Sequence, residues 1–239
     1  MLGLPSQITV LLFDLDGVLT TTATLHTTAW TDAFNAFLTA RAADAADGED
    51  LAPFTEQDYL DHVDGRPRTD GVRNFLAARG IVVDDETVHA IADAKNAAFV
   101  ATLERDGVEP YPGSVRYLEA ARAAGLRIAV VTSSKNGAMV LEAAGLSGFP
   151  EHRVDGNTIV EEGLAGKPAP DSYLRGAELM GVPPERAAVV EDAISGVRAG
   201  VAGAFGYVVG IDRTGGRQTD AMHTAGADVV VSDLDDLLS

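Results

Sequence analysis

The sequence contains no cysteine among its 239 residues, so neither disulfide bonds nor thiolate metal sites can form. It is also poor in basic residues, with 18 lysines and arginines against 36 acidic residues and a formal net charge of -18. Because polyanions bind to basic surfaces, this balance argues against nucleic acids and anionic membranes as partners. No apolar run approaches the roughly 18 residues of a membrane span, and no leader peptide with a cleavage site is recognisable. We therefore expect a soluble protein of the cytoplasm.

The sequence does contain a recurring α/β pattern. An alanine-rich helical segment is followed by a glycine and a short β-branched run, as in "YLEAARAAGLRIAVV" (117–131). Glycine suits the left-handed position just past a helix end, and the apolar run suits a strand buried on both faces. The pattern predicts parallel strands at 9–13, 127–131, 187–190, 206–209 and 228–231.

A long interval without predicted strands interrupts this pattern. Between about residues 22 and 106 the apolar residues recur with helical spacing, apart from a polar connector near 42–52. The predicted fold is therefore α/β, with a Rossmann-like parallel-sheet core formed by residues 1–21 and 107–239. Residues 22–106 are predicted to form an all-helical domain inserted after the first strand.

Acidic residues stand at the ends of two predicted strands, where ligands of open α/β sheets bind. Asp14 and Asp16 end the first strand in "FDLDGVLT", two residues apart and therefore on one face. At about 7 Å and an effective dielectric near 20, their repulsion is roughly 2 kcal/mol. A bound cation is the simplest group that would offset this repulsion, and Gly17 leaves room for a ligand to approach. Glu191 and Asp192 follow the strand "AAVV".

The triplet "DLD" recurs at residues 233–235, so the triplet alone is not diagnostic. At the second position it predicts a helix start, with Ser232 as N-cap and acidic residues complementing the helix dipole. The first copy therefore needs supporting residues elsewhere in the chain.

Hydrogen-bond donors follow the second strand. Thr132, Ser134, Lys135 and Asn136 open a helix, and Lys167 lies in the proline-stiffened loop "GKPAPD". Each group alone has a structural explanation, such as a helix cap or a solvated surface charge. Because these groups occur in order at the ends of separate strands, together they are stronger evidence for a functional site than any one of them alone. Acids for a hard cation together with donors for an oxyanion favour phosphoryl transfer through an aspartyl intermediate.

Four stretches resemble, in order, the four motifs of the haloacid dehalogenase (HAD) superfamily: "FDLDGVLT", "VVTSS", "GKPAPD" and "VVEDAISG". The helical insertion is similar to the cap of the β-phosphoglucomutase-like branch, and further similarity lies in "HTTAW", "GRPR", "KN", "YPG" and "SSKNG". The resemblance covers nearly the whole chain except about 42–53. Thr21 departs from the pattern because an aspartate commonly follows the first motif, and altered cap closure is the expected effect.

The resemblance implies a role for each matching residue of the core. Asp14 would be the nucleophile that becomes phosphorylated. Asp16 would be the general acid/base and would lend its backbone carbonyl to Mg²⁺. Asp192, supported by Glu191, would complete the metal site. Two residues would bind the transferring phosphoryl group: Thr132 and Lys167.

The resemblance also implies a substrate site. Arg68, a planar fork suited to phosphate, would bind the phosphate that is not transferred. Other residues would hold the substrate: His26, Trp30, Lys95, Asn96, Ser134, Lys135 and Asn136.

The identity of the phosphoryl acceptor leaves more than one function open. Transfer to a second sugar hydroxyl would make the protein a mutase that interconverts β-glucose 1-phosphate and glucose 6-phosphate, with glucose 1,6-bisphosphate as activator. Transfer to water would make a phosphatase of a small sugar phosphate. A non-catalytic binding protein with the same fold is a third alternative. Arg68 with Lys135 and Asn136 favours the mutase, and a cap that moves favours a monomer.

Overall fold

The computed structural model describes residues 2–238 of the chain. It contains two compact units, one formed by Met1–Thr21 with Val108–Ser239 and the other by Thr22–Gly107. The first unit is built around a sheet, and the second is helical. None of the helices in the described part combines the length and apolar character needed to cross a membrane.

The helical unit has an aromatic core. Its helices are α1 (Thr22–Arg41), α2 (Glu56–Asp58), α3 (Arg68–Ala78) and α4 (Asp85–Asp106), and a π-helical turn, Tyr59–Val63, continues α2. The Phe34 ring lies 4.3 Å from the Phe75 ring and 4.8 Å from the Phe54 ring. Burying such a ring stabilises a fold by about 1.5 to 3 kcal/mol. Because Phe54 lies two residues beyond the polar connector, this cluster fixes the end of the connector onto the helices.

The sheet of the first unit is parallel throughout the described residues. Its strands are β1 (Val10–Phe13), β2 (Arg127–Val131), β3 (His152–Val154), β4 (Ala187–Glu191), β5 (Tyr207–Ile211) and β6 (Val229–Val231). Their order across the sheet is β3-β2-β1-β4-β5-β6. Phe13 pairs with Val130 on one side and with Val190 on the other. The carboxyl ends of β2, β1 and β4 are therefore neighbours.

The predicted α/β fold is confirmed, and one strand was missed. All five predicted strands are present, although β5 extends two residues beyond its predicted end. The missed strand, β3, has only three residues, and His152 and Arg153 are exposed because β3 lies at the sheet edge. It therefore lacks the apolar run by which buried strands are recognised.

The first unit also contains helices. They are α5 (Pro112–Ala123), α6 (Gly137–Ala143), α7 (Gly156–Glu161), α8 (Asp171–Leu179), α9 (Ile194–Ala202) and α10 (Thr219–Ala225). The helix predicted near the second "DLD" is a short 3₁₀ turn, Leu234–Leu237. The prediction of Ser232 as its N-cap is wrong. Asp233 is the cap because its carboxylate accepts directly from the Asp235 N–H, at 3.0 Å.

Candidate active site

A buried lysine joins the ends of two neighbouring strands. The Lys167 ammonium lies 2.5 Å from Asp14 Oδ1 and 2.6 Å from Glu191 Oε1, and it donates to the Val131 carbonyl at 3.3 Å. Lys167 is 2% exposed, Asp14 5% and Glu191 0%. All three N–H groups of the ammonium therefore have acceptors, and the charges are shielded from water.

Burial and charge act in opposite directions on this cluster. Burial lowers the pKa of Lys167, but Asp14 and Glu191 outweigh it, so the pKa lies above its ordinary value and the amine stays protonated. Burial raises the pKa of Asp14, the Lys167 charge opposes the rise, and the negative charges of Glu191 and Asp16 reinforce it. Several carboxylates thus share one ammonium, and an additional cation would lower the free energy of the ionised cluster.

Tyr173 on α8 is a member of this cluster that the sequence analysis missed. Its hydroxyl donates to Glu191 Oε1 at 2.8 Å, and the Ala193 N–H donates to Glu191 Oε2 at 3.1 Å. Burial and the adjacent Glu191 charge raise the pKa of the Tyr173 hydroxyl well above its ordinary value, so it remains a donor. Glu191 is held in one orientation by these contacts. No motif signals Tyr173, because an aromatic residue on a buried helix face is ordinary core.

Three carboxylates have the arrangement of a site for a hard cation. Oxygen atoms of Asp14, Glu191 and Asp192 lie within 4.8 Å of one another. An all-oxygen donor set of this charge suits Mg²⁺. The side chain of Asp16 does not belong to this group, and its predicted contribution concerns its backbone carbonyl. Glu191 also contacts Lys167 and Tyr173, which would suit a supporting position beside such a cation.

A glycine brings the loop after β1 close to Asp192. Gly17 has φ +84°, a conformation that residues with a Cβ rarely adopt. A Cβ atom at this position would lie 1.8 Å from Asp192 Oδ2. Any larger residue would therefore displace either the loop or the carboxylate. Thr21, at the position that is commonly acidic, donates from both its N–H and its hydroxyl to the Glu109 carbonyl, each at 3.1 Å.

The loop after β2 is held by its own hydroxyl groups. Thr132 is buried, and its hydroxyl donates to Asp16 Oδ2 at 3.3 Å and accepts from the Ser134 N–H at 3.1 Å. The Ser134 hydroxyl accepts from the Asn136 N–H at 3.2 Å. Lys135 is exposed between them. The structure thus joins Thr132 to the aspartate-bearing loop and leaves the Lys135 side chain facing solvent.

The helical unit brings three other predicted residues together. Lys95 on α4 is 4% exposed, and its Nζ lies 2.5 Å from Nδ1 of His26 on α1. The same Nζ lies 5.2 Å from the centre of the Trp30 ring and 4.9 Å from that of Phe99. His26 stacks on Phe99 at 4.2 Å. Because the ammonium donates, His26 accepts through Nδ1. The aromatic faces stabilise a cation that is otherwise costly to bury.

Arg68 begins α3 of the same unit. Its side chain is 19% exposed, its Nη1 donates to the Ala92 carbonyl on α4 at 3.4 Å, and it lies 3.8 Å from Asp93. Burial lowers the pKa of Arg68, and Asp93 opposes this effect. A guanidinium keeps its charge in any such setting. Asn96, also on α4, directly follows Lys95 in the chain.

Comparisons with known proteins agree with this chemistry. Residues 8–203 match the family model described as haloacid dehalogenase-like hydrolase. "Beta-phosphoglucomutase" of Mycobacterium tuberculosis is 52% identical over 249 residues, covering 100% of this chain and 94% of the relative. "Hexitol phosphatase A" of Escherichia coli is 30% identical, covering 80% and 77% respectively. The structure of a putative β-phosphoglucomutase from Bacteroides vulgatus superimposes with a TM-score of 0.76 at 25% identity, covering 96% of this chain and 85% of that one.

The names of these relatives all refer to enzymes of carbohydrate phosphates, and the comparisons confirm the family predicted from the four motifs. The protein is therefore an enzyme, a phosphotransferase or a phosphatase. The chain belongs to the haloacid dehalogenase-like hydrolase family, in its β-phosphoglucomutase-like branch.

Proposed function

We propose that the protein interconverts β-glucose 1-phosphate and glucose 6-phosphate through an aspartyl phosphate on Asp14. The observation that supports this proposal most strongly is the buried contact of Asp14 with Lys167, beside the carboxylates of Glu191 and Asp192. The 52% identity to a β-phosphoglucomutase over the whole chain supports the choice of reaction.

The first step forms the aspartyl phosphate. In the mutase, an oxygen of Asp14 attacks a phosphorus of glucose 1,6-bisphosphate, and the bond from that phosphorus to the sugar oxygen breaks. The departing oxygen takes its proton from Asp16, whose carboxyl group Thr132 orients by a hydrogen bond. Lys167 neutralises charge on the transferring oxygens, where preorganised donors contribute most to the rate.

The second step transfers the phosphoryl group to an acceptor. Asp16, now a carboxylate, takes the proton of the acceptor hydroxyl, which in the mutase is the 6-hydroxyl of β-glucose 1-phosphate. That oxygen attacks phosphorus, the bond to Asp14 breaks, and glucose 1,6-bisphosphate forms. Return of its 1-phosphate to Asp14 leaves glucose 6-phosphate. Microscopic reversibility requires the same two groups in both directions. Glucose 1,6-bisphosphate would phosphorylate Asp14 and so act as the activator.

Mg²⁺ would be held by Asp14, Asp192 and the backbone carbonyl of Asp16. When bound, this dication supplies charge neutralisation for the phosphoryl group. The donor set fits it, because hard oxygen ligands in excess of the local positive charge are what Mg²⁺ requires.

The helical unit would contribute the residues that recognise the rest of the substrate. Arg68 would bind the phosphate that is not transferred, by two parallel N–H bonds. His26, Trp30, Lys95 and Asn96 would contact the sugar. Lys135, exposed in the loop after β2, has the reach and charge to help bind a phosphate.

A phosphatase is the second candidate, favoured by the similarity to the E. coli hexitol phosphatase. It would use the same aspartyl phosphate and release it to water. The two functions differ only in the acceptor, so chemistry at Asp14 does not distinguish them.

An assay with β-glucose 1-phosphate, Mg²⁺ and a trace of glucose 1,6-bisphosphate tests the proposal. Glucose 6-phosphate and free phosphate are followed separately. We expect glucose 6-phosphate to form without matching release of phosphate. Stoichiometric phosphate with no isomerised sugar would overturn the mutase and establish the phosphatase. Asp14→Ala serves as the matched inactive control.

A further inference from the structure

The turn that follows Asp16 is held from outside by the rest of the sheet-containing unit. Each carbonyl from Gly17 to Thr20 accepts a hydrogen bond, and three of the four donors lie outside the turn. The donors are Arg213 Nε to Gly17 O (3.1 Å), Ser114 Oγ to Val18 O (2.6 Å), Tyr111 N to Leu19 O (2.9 Å) and Gly17 N to Thr20 O (2.9 Å). Arg213 is the charged member of this set, and it holds the carbonyl nearest to Asp16.

Arg213 connects this turn to the C-terminal segment of the chain. Its Nη1 donates to Asp233 Oδ2 at 2.6 Å and to the Ser232 carbonyl at 2.9 Å. Its guanidinium carbon lies 3.8 Å from the centre of the Tyr111 ring. The side chain is 18% exposed. Four contacts, made to three segments of the chain, therefore fix the plane of the guanidinium.

The backbone that carries Arg213 is itself fixed by the preceding residue. Asp212 directly follows β5, is 4% exposed, and accepts four hydrogen bonds. The donors are the N–H and hydroxyl of Thr214, the N–H of Gln218 and the hydroxyl of Thr219. Arg213 thus reaches the Gly17 carbonyl from a rigid base.

The position of Gly17 matters to two carboxylates. It directly follows Asp16 in the chain, and its Cα hydrogen faces Asp192 so closely that a Cβ would lie 1.8 Å from Oδ2. A shift of the Gly17 peptide would therefore turn Asp16 and press on Asp192. Asp14 is less exposed to such a shift, because its N–H is bonded to the Val190 carbonyl on β4 at 2.9 Å.

We propose that Arg213 is a positioning residue that holds Asp16 in the orientation required for proton transfer. This inference rests on the proposed function, in which Asp16 is the general acid/base. Loss of the Arg213 contact is expected to slow the steps that need a proton from Asp16. Attack of Asp14 on an ester whose leaving group needs no proton is expected to continue.

Rapid-mixing measurements of the first step test this distinction. p-Nitrophenyl phosphate releases p-nitrophenolate without a proton, whereas glucose 1,6-bisphosphate releases a sugar hydroxyl that needs one. For Arg213→Lys and Arg213→Gln, we expect transfer from the sugar phosphate to fall about 10- to 100-fold, a range set by misplacement of a general acid. The rate of the p-nitrophenolate burst should change by less than about threefold, and KM for the sugar phosphate should stay unchanged.

Arg127→Lys is the matched control. Arg127 makes the same kinds of contact, to the Met180 carbonyl at 2.6 Å and to Glu151 at 2.6 Å, at the opposite end of β2 from the site. We expect both rates to stay unchanged in this variant. Asp16→Ala should show the same dependence on the leaving group as the Arg213 variants, but more strongly.

Equal losses on the two esters, or no loss on either, would overturn the role of Arg213. The proposed function is tested separately by the product that the unaltered enzyme forms. If that product is free phosphate, the mutase fails, but the comparison of leaving groups still decides the role of Arg213, because a phosphatase cleaves the same bond.

Discussion

Replacing Lys167 by methionine tests the central feature of the site. Methionine has a similar length and no charge, so Lys167→Met removes the ammonium with little change of volume. Asp14 and Glu191 would then be buried without their shared cation, since they lie 2.5 and 2.6 Å from Nζ.

The size of the effect follows from these distances. At an effective dielectric near 20, each attraction is roughly 6 to 7 kcal/mol before the cost of burial is subtracted. Removing the charges from water costs several kcal/mol per ion. The cluster therefore stabilises the folded protein by much less than the sum of these attractions. Deleting one partner of a buried pair is nevertheless expected to lower the free energy of unfolding by about 3 to 5 kcal/mol. The rate of phosphoryl transfer should fall by about 100- to 1,000-fold, as when one transition-state donor is removed.

Urea denaturation in EDTA, repeated in Mg²⁺, measures the stability effect. Magnesium should restore part of the loss in Lys167→Met, because a dication near Asp14 and Asp192 replaces some of the missing positive charge. Lys135→Met is the control for stability, since Lys135 is exposed and its loss should change the free energy by less than about 0.5 kcal/mol. A Lys167→Met protein as stable as the unaltered enzyme, or one with undiminished turnover, would refute the reasoning.

The remaining predictions concern three other residues. Asp14→Ala should abolish turnover while circular dichroism shows an intact fold, and residual activity would contradict a nucleophilic Asp14. Hydrogen bonds outweigh burial and lower the pKa of Asp212 to about 2, so its stabilisation is complete above its ordinary pKa of about 3.9 and is lost as the pH falls toward 2. Asp212→Asn should cost about 2 kcal/mol at pH 7 and about half as much near pH 3 in urea titrations, whereas a loss independent of pH would show that the charge is irrelevant. Arg68→Ala should reduce isomerisation of the sugar phosphate far more than hydrolysis of a small phosphate ester. Arg73→Ala, on the exposed side of the same helix, should affect neither reaction. Equal losses of the two activities in Arg68→Ala would contradict a second phosphate site at Arg68.

Much of the fold was predictable because its signals are local. Each buried strand of the centre of the sheet is a short apolar run, and each run is followed within a few residues by the polar groups of the site. The positions of Asp14 and Glu191 at strand ends could be predicted from the residues next to them in the sequence. The edge strand β3 escaped prediction because the exposed His152 and Arg153 give it no apolar signature.

The contacts that make these residues a site depend on parts of the chain that are far apart. Lys167 lies 153 residues from Asp14, and Arg213 lies 196 residues from Gly17. Nothing in the local pattern indicates that Tyr173 orients Glu191, or that Arg213 fixes the turn beside Asp16. The sequence thus establishes which chemical groups stand at the strand ends, because alternation and turn residues are encoded within a few positions. Their pairing is established by the order in which the parallel strands associate, since that order brings distant segments to one edge of the sheet.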